Sequence, residues 1–417
     1  MSSAHPDVTG PASDEDAPEI TPLREPREGV PAVVDTPEAL AEAVERLRSA
    51  SGPVAVDAER ASGYRYGQRT FLVQMRREGA GTVLIDPVPL PDLSSVDEAL
   101  GDAEWVLHAA SQDLPGLSEQ RLRPAAVFDT ELAARLLGLP RVGLAAVVAE
   151  ILGLGLAKEH SAVDWSTRPL PQDWLLYAAL DVEVLLDLRR ELGDRLDAAG
   201  KGEWARQEFE AVRLAPPAPP RVDPWRRTSG LHAIRDPRRL AVVRALWQAR
   251  EHDARRRDVS PGRVLPDAAI VAAAQAMPTS VTALTELPQF KGKATRRRAE
   301  HWFAPVAEAL ALPEGQLPSS RGPRTDAPPP PRTWSDRDPA AAARLAVART
   351  AVAEIGEEHQ VPVENLLTPD LLRRLCWSPP ARIDEVSVAE TLAAAGARPW
   401  QVELVAPRLA AAFVTLQ

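Results

Sequence analysis

Apolar residues recur along the first half of the chain with two different periods. Leu40, Ala43, Val44 and Leu47 fall three and four apart behind Thr36-Pro37, a capping residue and a first-turn proline, which predicts a helix reaching Arg48. Short apolar runs follow at 54–57, 70–75, 82–85 and 105–108, with Gly63, Gly79 and Gly81 between them, and a shorter run ends at Phe128. These predict strands separated by turns. Helical spacing then takes over at 131–137, at 144–152 and in one long stretch from about 171 to 198. Strands followed by helices predict an α/β layer built on a sheet.

The pattern breaks twice. APPAPPRVDP from residue 215, and the stretch 312–335 with its proline run at 328–331, are extended linkers. Between them Leu240, Val243, Leu246 and Trp247 line one face of a helix opened by Asp236-Pro237, and 268–277 predicts another. After the second break, Asp338-Pro339 opens a comparable helical run. The expected organisation is an acidic disordered tail at 1–33, an α/β domain at 34–212, a linker at 213–222, a helical domain at 223–311, a linker at 312–335 and a second helical domain at 336–417.

Charge sharpens this division. The net charge of −10 is unevenly placed: the first forty residues hold nine acidic residues against two arginines, while 221–310 hold seventeen Lys/Arg against nine Asp/Glu. A polyanionic partner is therefore compatible with the middle of the chain despite the acidic average. The single cysteine, Cys376, excludes an intrachain disulfide and a thiolate metal cluster, and reads as a small buried apolar residue. No apolar run is long enough to span a bilayer and no signal-peptide pattern opens the chain, so the cytoplasm is the expected location, with no membrane partner.

The candidate chemistry lies in the α/β half. Asp57 and Glu59 end an apolar run two residues apart, so a strand points both carboxylates to one face. Tyr177 and Asp181 are four apart in a helical stretch, which stacks the phenol and the carboxylate about a turn from each other. Asp113 ends the run HAASQD. Carboxylates converging on one space repel unless a cation separates them, and hard oxygen donors suit Mg²⁺. A pair of such ions can assist phosphodiester hydrolysis.

These motifs, in this order, resemble the ribonuclease D family, in the tyrosine-bearing branch of the DEDD 3′–5′ exonucleases. The likeness spans about residues 35–200: Asp57-x-Glu59, then Asp113, then Tyr177-x-x-x-Asp181, with Phe128-Asp129-Thr130 and KEHSAVDWSTRPL (158–170) as further family features. The resemblance implies an RNase H-like α/β exonuclease domain. It also implies two divalent ions, Mg²⁺ or Mn²⁺, with Asp57 bridging both, Glu59 and Asp181 completing the first site, and Asp113 holding the second. Tyr177 would orient the attacking water. Residues 223–311 resemble an HRDC domain, and 336–417 a divergent second one, so one or two small all-α HRDC-type domains are expected to follow the exonuclease domain.

In the first helical domain Lys291, Lys293, Arg296, Arg297 and Arg298 cluster around a glycine-containing turn at a helix start, a candidate phosphate-contacting patch whose competing reading is a solvated basic face. Arg255, Arg256 and Arg257 form a second candidate. Trp165 and Arg168 are assigned to nucleic-acid contact, with anchoring of the loop as the competing reading for Trp165 and structural support for Arg168. Lys158 fits a phosphate ligand or an exposed loop lysine, Gln74 in the run FLVQM is a candidate to face the substrate channel that the sequence alone does not place, and His108 is read as packing near the site, since Mg²⁺ disfavours nitrogen.

The resemblance thus implies a metal-dependent 3′–5′ exoribonuclease releasing 5′-mononucleotides from single-stranded RNA 3′ ends, tRNA precursors included; no protein partner is predicted. A 3′–5′ DNA exonuclease of the same superfamily and an inactive nucleic-acid-binding adaptor are the alternatives.

Overall fold

A computed structural model describes residues 20–157, 160, 162–322 and 326–416. Eight strands are present among them: β1 Thr21–Pro22, β2 Val33–Val34, β3 Val54–Arg60, β4 Thr70–Arg77, β5 Gly81–Ile85, β6 Glu104–Leu107, β7 Ala126–Asp129 and β8 Leu154–Gly155. Six form one mixed sheet in the order β2-β5-β4-β3-β6-β7. The pairs β3–β4 and β4–β5 are antiparallel, while β2–β5, β3–β6 and β6–β7 are parallel. Gly79 makes the tight β4–β5 turn possible, because its φ of 85° is a conformation that side chains disfavour.

Strand alternation sorts β3 onto two cores. Val54, Val56 and Ala58 pack with Leu40, Ala43, Val44 and Leu47 of the helix Pro37–Ser49. Ala55 packs on the other face with Val182 and Leu185. Asp57 and Glu59 follow Ala55 in the period of two and so point at the helix that carries Asp181. Thr36 caps the first helix as expected, its hydroxyl accepting the Ala39 amide at 3.2 Å.

The long helix expected at 171–198 is two helices, Gln172–Glu183 and Leu185–Ala198, broken at Val184. The side chains explain the break. At about 100° per residue, the stripe Leu175, Ala178, Ala179, Val182 and the stripe Leu185, Leu188, Leu192, Leu196 differ by about a quarter turn, so one straight helix could not bury both.

The expected disordered tail also needs correction over its described part. Thr21–Pro22 pairs in parallel with Leu154–Gly155, and Val33–Val34 joins the edge of the main sheet. Arg27 clamps the segment between, reaching Glu183 at 3.4 Å and Asp187 at 2.5 Å. Acidic, proline-bearing composition had masked apolar Leu23, Val30 and Val33, which together with backbone pairing give this stretch a place to pack. Residues 1–19 lie outside the described residues.

The helical half repeats one element order. Pro237–Arg257, Pro261–Val264, Asp267–Ala276, Val281–Glu286 and Ala299–Ala311 are answered by Pro339–His359, Val363–Leu366, Pro369–Trp377, Glu385–Ala394 and Pro399–Val414. Both 21-residue helices are capped by an aspartate that accepts an amide of the first turn, and both end on a left-handed residue, Asp258 and Gln360. The second unit shares its core with the α/β domain: Trp400 stacks on Trp204 at 4.9 Å and donates to Glu208 at 3.0 Å. Lys201 ties both sides, donating to the carbonyls of Leu136 and His359 at 2.6 and 2.7 Å. No helix among the described residues is long and apolar enough to cross a membrane.

Candidate active site

The sheet and the Gln172–Glu183 helix bring Asp57, Glu59 and Asp181 together, each offering a carboxylate oxygen within 4.8 Å of the others. Their positions follow from β3 alternation and from Leu175 and Ala178, which seat the helix on Phe71, Leu72 and Trp165. Gln74, opposite Asp57 in the β3–β4 register, donates to its Oδ2 at 3.3 Å. It is fully buried, so it holds Asp57 in place and does not face a substrate channel as expected. Tyr177 lies one helical turn before Asp181, which places its hydroxyl beside that carboxylate.

Asp113 arrives by a different route. It follows a tight turn in which Ala109 adopts a φ of 61°. The Asp129 carboxylate pins that turn by accepting the amides of Ala109 and Ala110 at 3.1 and 2.8 Å, and it also caps its own helix through Glu131 and Leu132. Asp113 stands outside the tight group of three and faces Arg60 at 3.4 Å.

The electrostatics of the cluster are unfavourable as they stand. Burial, then repulsion from Asp57, Asp181 and Asp113, raises Glu59 well above the ordinary glutamate range. Asp181 is raised well above its ordinary value by burial and by Asp57, and Asp57 is raised chiefly by burial. Asp113 is pushed up to about 8 by burial and by Asp57, against the pull of Arg60. Burial and Asp181 also raise Tyr177, which keeps its proton. Hard oxygen donors that cannot all ionise without a counter-charge are a good fit to a divalent cation.

His108 is neutral, held to about 4 by burial, with Nδ1 2.9 Å from the Thr130 hydroxyl, a packing role. Two expected RNA contacts are corrected. Trp165 is fully buried, 5.5 Å from Trp174 and 6.4 Å from Tyr177, and so backs the tyrosine instead of presenting a ring to a base. Arg168 spends its donors on Asp86, at 2.6 and 2.8 Å, and on the carbonyls of Phe71, Trp165 and Thr167. None remains for a phosphate. Lys158 lies outside the described residues.

Lys291, Lys293, Arg296 and Arg297 are exposed on and before the short helix Lys293–Arg297. Arg298 is set apart from them, paired with buried Asp253 and 5.2 Å from the Trp302 ring. Arg255 and Arg256 are also engaged, the first with Tyr66 and the second with Asp253.

Sequence reasoning did not single out Arg60 or the N-terminal Pro22, Leu23 and Arg24. The latter line a cleft of about 750 Å³ that also holds Tyr177 and Asp181. Only the apolar residues between the acidic ones in 20–34 signalled that segment.

Fold and carboxylate set define an α/β domain of exonuclease type, and comparison with known proteins agrees. A 3′–5′ exonuclease family model matches residues 31–197, an HRDC domain model residues 239–306, and a 3′ to 5′ exonuclease C-terminal domain model residues 327–413. Ribonuclease D of Gluconacetobacter diazotrophicus is 32% identical over 357 residues, 84% of this chain and 87% of its own. The crystal structure of a Bifidobacterium adolescentis protein superposes with a TM-score of 0.88 at 40% identity, covering 95% of this chain and all of that one. Escherichia coli RNase D, described as an exoribonuclease involved in structured RNA processing, gives 0.66 at 26% identity over 92% of this chain and 98% of its own. The chain belongs to the ribonuclease D family.

Proposed function

We propose that this protein is a divalent-metal-dependent 3′–5′ exoribonuclease that shortens single-stranded RNA from its 3′ end and releases nucleoside 5′-monophosphates, in the cytoplasm and with tRNA precursors among its substrates. The observation that carries the reading is the convergence of Asp57, Glu59 and Asp181 within 4.8 Å, with Tyr177 one helical turn from Asp181. Divalent ions such as Mg²⁺ or Mn²⁺ would be held by Asp57, with Glu59 and Asp181 beside it and Asp113 as a further carboxylate ligand. When bound, such ions supply an activated water and neutralise charge at the scissile phosphate.

The residues do the positioning. Gln74 fixes one Asp57 oxygen, and Asp129 fixes the turn that presents Asp113. Tyr177, backed by Trp165, orients the attacking water through its hydroxyl. This reading uses an exonuclease domain at 34–212, an HRDC domain at 223–311 and a further helical domain at 336–417. The exposed lysines and arginines at 291–297 add salt-sensitive affinity for the RNA backbone.

The test is incubation with linear RNA, a circle of the same sequence and matched DNA, with products separated by chromatography. Nucleoside 5′-monophosphates from the linear RNA and an intact circle are expected. Opening of the circle, or faster turnover of DNA, would overturn the reading, and binding with no product in any case would favour an adaptor.

A further inference from the structure

The position after Glu59 breaks the strand rule that built the site. Strict alternation would send residue 60 to the face of Ala58, away from the carboxylates. The β3–β4 register shifts between Glu59 and Arg60, so that Glu59 pairs with Leu72 but Arg60 with Thr70. Such an irregularity bends the strand and re-aims the next side chain. Arg60 thereby reaches the acidic site: its Nη1 donates to the Gln112 carbonyl at 2.5 Å and its Nη2 stands 3.4 Å from Asp113 Oδ1.

The guanidinium is neither buried nor spent. Its side chain keeps 24% of its exposure. It borders a recess of about 280 Å³ that also exposes Glu59, with Ser62, Gly63, Ala162 and Val163 around it. Two of its five N–H donors are directed at Gln112 and Asp113, and Nε has no described partner. Its positive charge acts on Asp57, Glu59 and Asp113 alike. Arg168, by contrast, has its donors fully engaged.

We propose that Arg60 is a phosphate-binding residue of the active site, placed by the strand irregularity and held ready by Gln112 and Asp113 to grip a phosphodiester oxygen at the scissile end of the RNA. This rests on the exoribonuclease reading above. A cluster of four carboxylates attracts cations but repels a polyanion. One fixed arginine beside them gives the incoming phosphate a forked, charge-assisted partner.

The experiment compares wild type, Arg60→Ala and Arg60→Lys in three measurements: kcat/KM on RNA in Mg²⁺, anisotropy binding of a single-stranded oligonucleotide in Ca²⁺, and Mn²⁺ stoichiometry by electron paramagnetic resonance. Arg60→Ala should lose about 10- to 100-fold in both kcat/KM and affinity. It should keep wild-type Mn²⁺ stoichiometry and recover partly when guanidinium ion is added. Arg60→Lys should fall between the two, because a lysine keeps the charge but not the fork. Full activity and affinity in Arg60→Ala would overturn the proposal. So would a loss that guanidinium does not rescue and that goes with lost Mn²⁺ binding, since Arg60 would then only position Asp113. If wild type degrades no RNA, the exoribonuclease reading fails, while the oligonucleotide affinities still decide whether Arg60 binds phosphate.

Discussion

At Asp113 the physical chemistry of the site can be read most directly. Its carboxyl is pushed up to about 8, by burial first and by Asp57 second, whereas an unfolded chain returns it to about 3.9. Between those values the folded state binds more protons than the unfolded one, so stability falls as pH rises through the window. Glu59, Asp57 and Asp181 are shifted in the same direction and add to the same slope. Melting scans in chelator should therefore give a lower Tm at about pH 8 than at about pH 6, and saturating Mg²⁺ should raise Tm more at the higher pH, where more of the carboxylates are ionised. An Mg²⁺ effect that is equal or larger at the lower pH would mean that these carboxylates do not share a cation.

At the scale of elements, β3 and the Gln172–Glu183 helix do most to make the site, and the loop at 162–170 supports them. Arg168 joins that loop to Asp86, which is itself 4% exposed. Arg168→Ala should cost about 1–3 kcal/mol, the loss typical of removing a donor from a buried acceptor, here Asp86. It should leave the RNA affinity of the folded fraction unchanged. Denaturant titration and binding at low temperature separate the two effects, and a large affinity loss at wild-type stability would restore Arg168 as an RNA contact. The sequence made β3, β4, β5 and the pairings within the candidate site legible because period-two and period-four rules act locally on Asp57, Glu59, Tyr177 and Asp181. It did not disclose the break at Val184, which answers to two differently oriented cores. Nor did it disclose the aim of Arg60, which depends on a register shift set by the partner strand. Trp165 and Arg168 misled for a related reason: an aromatic ring and a guanidinium suit RNA and a loop anchor equally, and what decides is burial for Trp165 and fully engaged donors for Arg168.

Across the whole molecule, the two helical units attach to the exonuclease domain differently. The C-terminal unit shares a hydrophobic core with it through Trp204, Trp400 and Phe413, and Trp→Ala changes in such a core cost about 3–5 kcal/mol. The first unit docks through polar contacts on the loop that follows Arg60. The Ser260 amide donates to the Tyr64 carbonyl at 2.9 Å, Arg263 to that of Gly63 at 2.9 Å, and the Tyr66 amide to Asp258 at 3.3 Å. Arg263 also covers the Tyr64 ring at 4.1 Å. The basic patch at 291–297 is thus carried on a unit that touches the rim of the active site. Reversing Lys291, Lys293, Arg296 and Arg297 to glutamate should weaken RNA binding and flatten its salt dependence, by about one unit of slope for each phosphate no longer neutralised. Binding isotherms at several salt concentrations check this, and an unchanged slope would return the patch to a solvated face.

The central claim, that these carboxylates hydrolyse RNA from its 3′ end, is tested most directly by a time course on 5′-labelled single-stranded RNA with wild type and Asp57→Asn, each in Mg²⁺ and in chelator. The account predicts a ladder shortening from the 3′ end for wild type in Mg²⁺ only, and a rate at least about 10³-fold lower for Asp57→Asn. Equal ladders from both proteins, or a ladder that persists in chelator, would contradict it.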